Sequence, residues 1–158
     1  MEIRPLTAAE MPLVAELAQR IWPIAYSTIL TPAQIGNILA RIYSAANLTI
    51  EMANGHRFWA AYDGEVALGF VSGYRDGTAI WIKKLYVLPE AQGGGIGRAL
   101  IDVVIDAFGP ASDARLLVNN GNVAAQAAYE RLGFARAATL PVTMGDHDFT
   151  DYLYVKPL

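Results

Sequence analysis

The 158-residue sequence has no cysteine, which excludes a disulfide framework, a thiolate zinc site and a cysteine nucleophile. Charged residues are also scarce, at 17% of the chain, and they leave a net charge of −3 without any basic cluster. This balance argues against a nucleic-acid surface. No apolar run is long enough for a membrane span, and the N-terminus lacks the basic-then-apolar pattern of a secretory signal. We therefore expect a soluble, cytoplasmic protein with neither nucleic acid nor membrane as a partner.

Apolar residues are abundant by contrast, at 54% of the chain. A chain of this length and composition can bury a full core. No linker, internal repeat or low-complexity tract interrupts the sequence, which argues against a domain boundary. We expect residues 1–158 to form a single domain.

Residues 79–108 are the most informative stretch. The β-branched and aromatic residues of Ala79–Val87 predict a strand, which Pro89 ends because proline cannot donate to a ladder. Glycines then crowd the segment Gly93–Gly97. A buried stripe at helical spacing predicts a helix directly after them, formed by Leu100, Ile101, Val104, Ile105 and Phe108. The predicted order is strand, glycine loop, helix.

The glycine loop suits an anion. The first turn of a helix leaves four N–H groups without intrahelical partners, and the aligned peptide dipoles make that end positive. Glycines at 93, 94, 95 and 97 remove side chains that would hold a phosphate away, and Arg98 adds a full charge. One exposed charge contributes only about 0.3–1 kcal/mol, so we expect a ligand with a di- or polyphosphate. The dinucleotide and P-loop fingerprints are both absent.

A second pattern begins at Asn122, with the spacing Asn-x-x-Ala-x-x-x-Tyr-x-x-x-Gly-Phe. Before it, Ala114–Val118 predicts a short buried strand, parallel to the first because a helical crossover joins them. A helix from about Val123 to Leu132 would end at Gly133, since glycine favours the left-handed cap. Asn122 and Tyr129 would share one face of that helix.

Helices are predicted before the central strand. Thr7 and Glu10 form a capping box for a first helix, which Pro23 disrupts or ends. Thr31, followed by a proline, begins a second helix, and Ser44 begins a third.

Strands are predicted after these helices. Asp-Gly turns separate three antiparallel strands, at Phe58–Tyr62, at Val66–Tyr74 and before the glycine loop. A final strand pair is predicted at Val142–Met144 and Phe149–Val155, around a turn at Gly145–Asp148.

Together the two patterns resemble the hallmarks of the GNAT superfamily of N-acetyltransferases. Residues 92–99 look like its Gln/Arg-x-x-Gly-x-Gly/Ala signature, which holds the pyrophosphate of acetyl-CoA, and the pattern from Asn122 looks like its second signature. The resemblance implies an α/β (α+β) acyl-CoA N-acyltransferase fold, with a mixed, mostly antiparallel sheet splayed at the central strand and helices on both faces. The helical insert and the tail Met144–Leu153 are similar to those of small bacterial polyamine N-acetyltransferases.

The resemblance also implies which residues hold the coenzyme, with acetyl-CoA as acetyl donor. Backbone groups of the central strand would bond the pantetheine arm beside a bulge, and the glycine loop would hold the pyrophosphate. Asn122 would contact the arm, and Tyr129 would lie near the thioester sulfur. The residues expected to bind acetyl-CoA are Leu85, Tyr86, Val87, Gln92, Gly93, Gly94, Gly95, Ile96, Gly97, Arg98, Asn122 and Tyr129. We expect no metal site.

The implied reaction is direct attack of a primary amine on the thioester. An alkyl amine has a pKa near ~10.4, so only about one molecule in 10³ is neutral at pH 7, and a base or a desolvating pocket must supply the difference. The departing thiolate can take a proton from a nearby phenol, which makes Tyr129 the predicted catalytic acid. The acceptor would be a small-molecule amine such as a polyamine or an amino acid. Homodimerisation is left open.

The sequence does not identify the base. Many members of the superfamily carry a glutamate two residues before the position of Leu85, where this chain has Lys83 followed by Lys84. A charged lysine cannot accept a proton and repels a polyamine, so Lys83 would suit an acidic or zwitterionic acceptor, or simply be solvated. His147 lies between two aspartates and is a candidate base, against the alternative of an ordinary loop histidine.

Two further interpretations stay open: an acetyltransferase acting on a protein or peptide amine, and a non-catalytic CoA-binding sensor. The missing strand glutamate favours the sensor, whereas the spacing of Asn122 and Tyr129 favours an enzyme. Four side chains of the helical region fit core and rim packing better than substrate contact: Trp22, Tyr26, Arg41 and Tyr43.

Overall fold

The computed structural model describes residues 1–144 and 146–158, and that part of the chain forms one seven-stranded sheet. The strands are β1 (Glu2–Pro5), β2 (Arg57–Asp63), β3 (Val66–Asp76), β4 (Ala79–Val87), β5 (Asp113–Asn119), β6 (Ala135–Met144) and β7 (His147–Pro157). They lie in the order β1-β2-β3-β4-β5-β7-β6. Strands β4 and β5 are parallel, and the other neighbouring pairs are antiparallel, which confirms the mixed sheet predicted from the sequence.

Helices flank this sheet as the periodicity predicts. They are α1 (Met11–Ala25), α2 (Pro32–Ile42), α3 (Ala45–Ala53), α4 (Ile96–Phe108) and α5 (Val123–Arg131). The predicted caps begin α2 and α3, because Thr31 Oγ1 accepts from the Gln34 amide at 3.1 Å and Ser44 Oγ accepts from the Asn47 amide at 3.2 Å. Gly133 follows α5 with a left-handed φ of 95°.

Helix α1 corrects one expectation, because it continues past Pro23 to Ala25. Pro23 lies in the last turn, where its missing N–H removes one helical hydrogen bond and little helix follows to be disrupted. The Tyr26 amide still donates to the Trp22 carbonyl oxygen at 3.0 Å. Trp22 and Tyr26 are buried, and their rings stack with centroids 4.2 Å apart, so side-chain packing stabilises this turn.

The final strand pair is longer than predicted. The sequence placed it at Val142–Met144 and Phe149–Val155, whereas pairing between β6 and β7 extends from Ala135 opposite Val155 to Met144 opposite His147. Half-buried residues alternate with exposed ones from Ala138 to Met144, so the sequence carries a period-two pattern there, with Pro141 inside it. Proline is tolerated because β6 is an edge strand. Gly145, in the predicted turn, lies outside the described residues.

Two cores occupy opposite faces of the sheet. Phe58 and Ala60 of β2 pack with α1, α2 and α3, whereas Trp59 and Ala61 pack with α4. Successive strand residues point to opposite faces, so one strand contributes to both cores. This arrangement confirms the expectation of helices on both faces.

A bulge interrupts β4 at Lys83. The register of β4 against β3 shifts between Ile82 and Lys84, which leaves Lys83 as an extra residue. The extra residue reverses the facing of the remaining strand residues, so that Leu85 packs in the same core as Ile82. Lys84 and Tyr86 consequently face the helices α1 to α3.

The sheet splays next to this bulge. β4 and β5 pair as far as Ile82 opposite Leu116. Beyond that point β4 continues along β3 to Val87, and β5 continues along β7 to Asn119. A gap therefore opens between the two strands, as predicted.

Candidate active site

The loop between β4 and α4 allows a ligand to approach the backbone closely. Gly93 and Gly95 have left-handed φ values of 86° and 84°, which other residue types rarely adopt. A Cβ atom at Gly93, Gly94, Gly95 or Gly97 would meet no heavy atom within 4 Å, so each position is open. The described part of the chain supplies no acceptor to the backbone amides at 94–98. Free amides, open space and a helix N-terminus together fit a diphosphate.

A groove of about 560 Å³ runs from this loop along α5. Among the predicted coenzyme residues it is lined by Leu85, Val87, Gln92, Gly93, Gly95, Ile96, Gly97, Arg98 and Tyr129. The side chain of Gln92 is tied to the strand end, since its Nε2 donates to the Val87 carbonyl oxygen at 3.1 Å. Arg131 at the end of α5 lines the groove as well and adds a second cation beside Arg98.

A smaller cavity of about 150 Å³, which we call the neck, lies in the gap between β4 and β5. Leu85, Val87 and Tyr129 line both the neck and the groove. Tyr26 and Lys83 line both the neck and a third cavity. The three cavities therefore adjoin one another along the splayed gap of the sheet, and we call the three together the passage.

Helix α5 brings both residues of the second pattern to the neck. Asn122 caps the helix, because its Oδ1 accepts from the Ala125 amide at 3.3 Å. Tyr129 is half-buried and meets Phe134 edge to face at a centroid distance of 6.1 Å. Desolvation by burial raises the pKa of the Tyr129 phenol, so the phenol keeps its proton at neutral pH.

Tyr86 is oriented differently from Leu85 and Val87. Its ring packs with the aromatic residues of α1 and α2, and its hydroxyl lies 2.9 Å from that of Tyr26. Burial raises the pKa of Tyr86 well above its ordinary value. A coenzyme contact from Tyr86 would consequently come from its backbone.

The third cavity has a volume of about 380 Å³ and lies on the side of the sheet that carries α1 to α3. We call it the aromatic cavity, because its wall includes Trp22, Tyr26, Tyr43, Tyr74, Trp81 and Tyr86. We expected three of these residues, Trp22, Tyr26 and Tyr43, to serve in packing. They are buried from bulk solvent and also line the cavity. Arg41 instead pairs with Asp146 at 2.8 Å on the surface.

Two lysines and two carboxylates line the aromatic cavity, so its formal charges balance. Lys84 is 3% exposed and its Nζ lies 2.5 Å from Glu51 Oε1. Burial lowers the pKa of Lys84, and the Glu51 carboxylate opposes that shift. Lys83 is exposed, whereas Asp151 is buried and burial raises its pKa.

The two histidines lie off the cavity walls. His147 begins β7 with its ring centroid 6.3 Å from Phe149, and it is not among the residues that line the three cavities. His56 stacks on Tyr74 with centroids 4.5 Å apart, and burial lowers its pKa. The candidate base His147 thus has no place on the wall of the passage.

Sequence reasoning missed Glu51, Asp151 and Arg131 as residues of the passage. Asp151 had a detectable signal, because it is an acidic residue at an alternate position between Phe149 and Leu153 of a predicted strand. Glu51 and Arg131 lie in ordinary helical sequence, and only the tertiary fold brings them to the cavities.

Comparison with known proteins identifies the family. Residues 54–136, more than half of the chain, match the Acetyltransferase (GNAT) domain. The chain belongs to the GNAT acetyltransferase family. An uncharacterized N-acetyltransferase of Mycobacterium tuberculosis is 29% identical over 150 residues, covering 92% of this chain and 96% of that protein. The chain is accordingly a GNAT-type N-acetyltransferase, an enzyme whose acetyl donor is acetyl-CoA.

Solved structures share the fold of this GNAT enzyme. The PaiA N-acetyltransferase of Thermoplasma acidophilum, in complex with coenzyme A, superposes with a TM-score of 0.83 at 21% identity, over 99% of this chain and 98% of that one. The ribosomal-protein-alanine N-acetyltransferase of Brucella melitensis gives a TM-score of 0.67 at 20% identity, over the full length of both chains. Identities this low establish the fold and leave the acceptor to be argued from the site.

Within residues 1–144 and 146–158 of the GNAT chain, no helix is long and apolar enough to cross a membrane. The same residues contain no group of three or more histidine, aspartate and glutamate side chains suited to a metal ion.

Proposed function

We propose that this protein transfers the acetyl group of acetyl-CoA to the primary amine of a small molecule by direct attack. The passage carries the proposal. It joins a groove beside the glycine loop to an aromatic cavity on the other side, and Tyr129 lines the neck between them. Two substrates that enter from opposite sides would meet at the neck.

The groove supplies the donors that a coenzyme diphosphate needs. The free amides at 94–98 and the Arg98 guanidinium would bind its oxygens, and Gly97 leaves room for them. The edge of β4 beyond Ile82 has no β5 partner, so Leu85 and Val87 are available to the pantetheine arm. Asn122 caps α5 and would also contact the pantetheine arm.

Tyr129 would act on the leaving sulfur. Burial raises its pKa, so the phenol remains a hydrogen-bond donor throughout the neutral range. It is also a weaker acid than a solvated phenol, so its hydrogen bond to the sulfur is the main expected contribution. A hydrogen bond of this kind is worth about 1 kcal/mol.

The aromatic cavity favours a small acceptor with a flat apolar body. Its volume of about 380 Å³ falls at the lower end of the usual range for small-molecule sites, about 300–1,000 Å³. Its rings can pack on an apolar body and attract one ammonium group. Lys83 and Lys84 offset the two carboxylates, so a second or third ammonium group gains no net attraction.

An amine panel tests this function. Purified protein should release coenzyme A thiol from acetyl-CoA with 2-phenylethylamine or phenylalanine at least about tenfold faster than with spermidine. The comparison is made as kcat/KM by following free thiol, with an N-terminal peptide amine as a fourth acceptor. Fastest turnover of spermidine would refute the argument from charge balance, and fastest turnover of the peptide would favour a protein acceptor. Acetyl-CoA binding without thiol release across the panel would refute the catalytic proposal.

A tyrosine variant tests the proposed role of Tyr129 as the catalytic acid. Tyr129→Phe should lower kcat about fivefold, the equivalent of one hydrogen bond of about 1 kcal/mol, with little change in the affinity for acetyl-CoA. Tyr152→Phe on β7 is the matched variant, because Tyr152 does not line the described cavities. Equal kcat for the Tyr129 variant and the wild type would remove the acid assignment.

A further inference from the structure

We propose that Asp151 is the general base that takes a proton from the ammonium group of the acceptor, an inference that rests on the proposed function. The family's usual strand glutamate is replaced by Lys83, so the carboxylate has to come from elsewhere in the fold. Asp151 reaches the same region from β7, on the other side of the splayed gap.

The position of Asp151 is set by the sheet. It pairs across the strands with Asn119 of β5 and Leu140 of β6, near the end of the β5 segment that has left β4. Its side chain is 7% exposed and lines the aromatic cavity. Asp151 interacts electrostatically with Tyr26 and Lys83, and both of these residues line the aromatic cavity and the neck, so the Asp151 carboxylate lies on the neck side of the aromatic cavity.

The hydrogen bonding of Asp151 leaves one oxygen free. Oδ1 is buried and finds no hydrogen-bond partner in residues 1–144 and 146–158. A buried carboxylate oxygen normally has a partner, because leaving it unpaired is unfavourable. An ammonium group in the aromatic cavity would be such a partner.

The charged and titratable groups around Asp151 suit a base. Lys83 from β4 favours the carboxylate, and Tyr26 from the end of α1 is neutral because burial raises its pKa. The residues paired with Asp151, Asn119 and Leu140, carry no charge. Burial raises the pKa of Asp151, which brings it closer to that of an amine, and the nearby Lys83 opposes that shift.

The proton balance is complete without another reactant. Asp151 accepts one proton from R–NH₃⁺, and the neutral nitrogen then forms the C–N bond at the thioester carbonyl carbon as the C–S bond breaks. The second amine proton passes to the departing sulfur, which the Tyr129 hydroxyl stabilises by a hydrogen bond and which leaves as the thiol. Asp151 returns its proton to solvent, so the products are the amide, the thiol and H⁺.

Asp151→Asn tests this role with the acceptor that the wild type uses fastest. At pH 7 we expect kcat/KM to fall about 100-fold, a typical contribution of a general base. The deficit should shrink by about tenfold per pH unit as the amine loses its proton in solution, and so close near about pH 9. Asp106→Asn is the matched control, because Asp106 is an exposed aspartate of α4, and its activity should equal that of the wild type.

Thermal melting separates this role from a structural one. A carboxyl whose pKa rises on folding destabilises the native state above that pKa, so the asparagine variant should melt at the wild-type temperature or higher. The pH profile of the wild type gives a second measurement, in which kcat/KM should fall in acid with an ionisation above the ordinary aspartate value of ~3.9.

The outcomes distinguish the two proposals. A wild-type rate for Asp151→Asn at pH 7, or a deficit that stays constant from pH 6 to 10, would overturn the base and leave acetylation standing. If the variant fails to fold, a wild-type profile without that acid ionisation overturns the base. Absence of thiol release by the wild type itself would overturn the proposed function instead.

Discussion

Gly97→Glu is expected to weaken coenzyme A binding by about 100-fold while leaving the protein folded. Gly97 lies in the first turn of α4, lines the groove and has open space where a Cβ would be. The new carboxylate would face the diphosphate at the glycine loop. Two unit charges about 5 Å apart repel by roughly 3 kcal/mol at an effective dielectric constant near 20, which corresponds to about 100-fold in affinity. Calorimetric titration with coenzyme A measures the change.

Two matched variants isolate the electrostatic effect. Gly97→Ala adds a methyl group without charge and should change the dissociation constant by less than about tenfold. Gly36→Glu makes the same substitution at an exposed helical glycine of α2, also with nothing within 4 Å of its Cβ position, and should bind coenzyme A like the wild type. If Gly97→Glu binds as tightly as Gly36→Glu, the diphosphate does not occupy this loop.

Lys84→Met is expected to destabilise the fold by about 3 kcal/mol. The substitution removes the buried partner of the Glu51 carboxylate. Removing one member of a buried ion pair costs about 3–5 kcal/mol. We expect the lower end because Asn47 Nδ2 still donates to Glu51 Oε2 at 3.3 Å. Urea unfolding at pH 7 measures the free energy of unfolding.

The double variant shows whether the uncompensated charge is the cause. Lys84→Met combined with Glu51→Gln removes both charges and should recover most of the lost stability. Arg41→Met breaks the exposed pair with Asp146 and should change the free energy of unfolding by less than about 1 kcal/mol. A double variant no more stable than Lys84→Met would attribute the loss to packing of the lysine stem instead.

Much of the fold could be predicted because local signals agree with the tertiary structure. The caps at Thr31 and Ser44, the Asp-Gly turns and the glycine loop each specify their element through short-range chemistry. The exceptions are places where packing decides. Helix α1 passes Pro23 because Trp22 and Tyr26 are buried around it, and β6 passes Pro141 because an edge strand tolerates proline.

The bulge in β4, which the family resemblance implied, is also encoded in the apolar pattern of the strand. Ile80 and Ile82 occupy even positions, whereas Leu85 and Val87, which pack toward the same core, occupy odd ones. A strand of strict period two cannot place all four on one face, so one extra residue has to lie between Ile82 and Leu85. The extra residue is Lys83, at the point where β4 leaves β5.

The candidate site could likewise be predicted only in part. Most residues of the groove belong to the two local motifs that carry the family resemblance, so that resemblance brought them forward, with Arg131 as an exception. The aromatic cavity is assembled from α1, α2, α3, β3, β4, β5, β6 and β7, and its charged pair joins Lys84 to a glutamate 33 positions away. Asp151 comes from the other end of the chain. Long-range contacts of this kind leave no periodic signal, and for that reason the base stayed unassigned at the level of sequence.

The central claim is that the coenzyme enters the groove and ends in the neck, and a crystal structure of the protein with coenzyme A tests it most directly. We predict the diphosphate on the amides at 94–98 beside Arg98, and the thiol sulfur in the neck within hydrogen-bond distance of the Tyr129 hydroxyl. A diphosphate bound away from the glycine loop, or a thiol outside the neck with Tyr129 turned from it, would contradict the account.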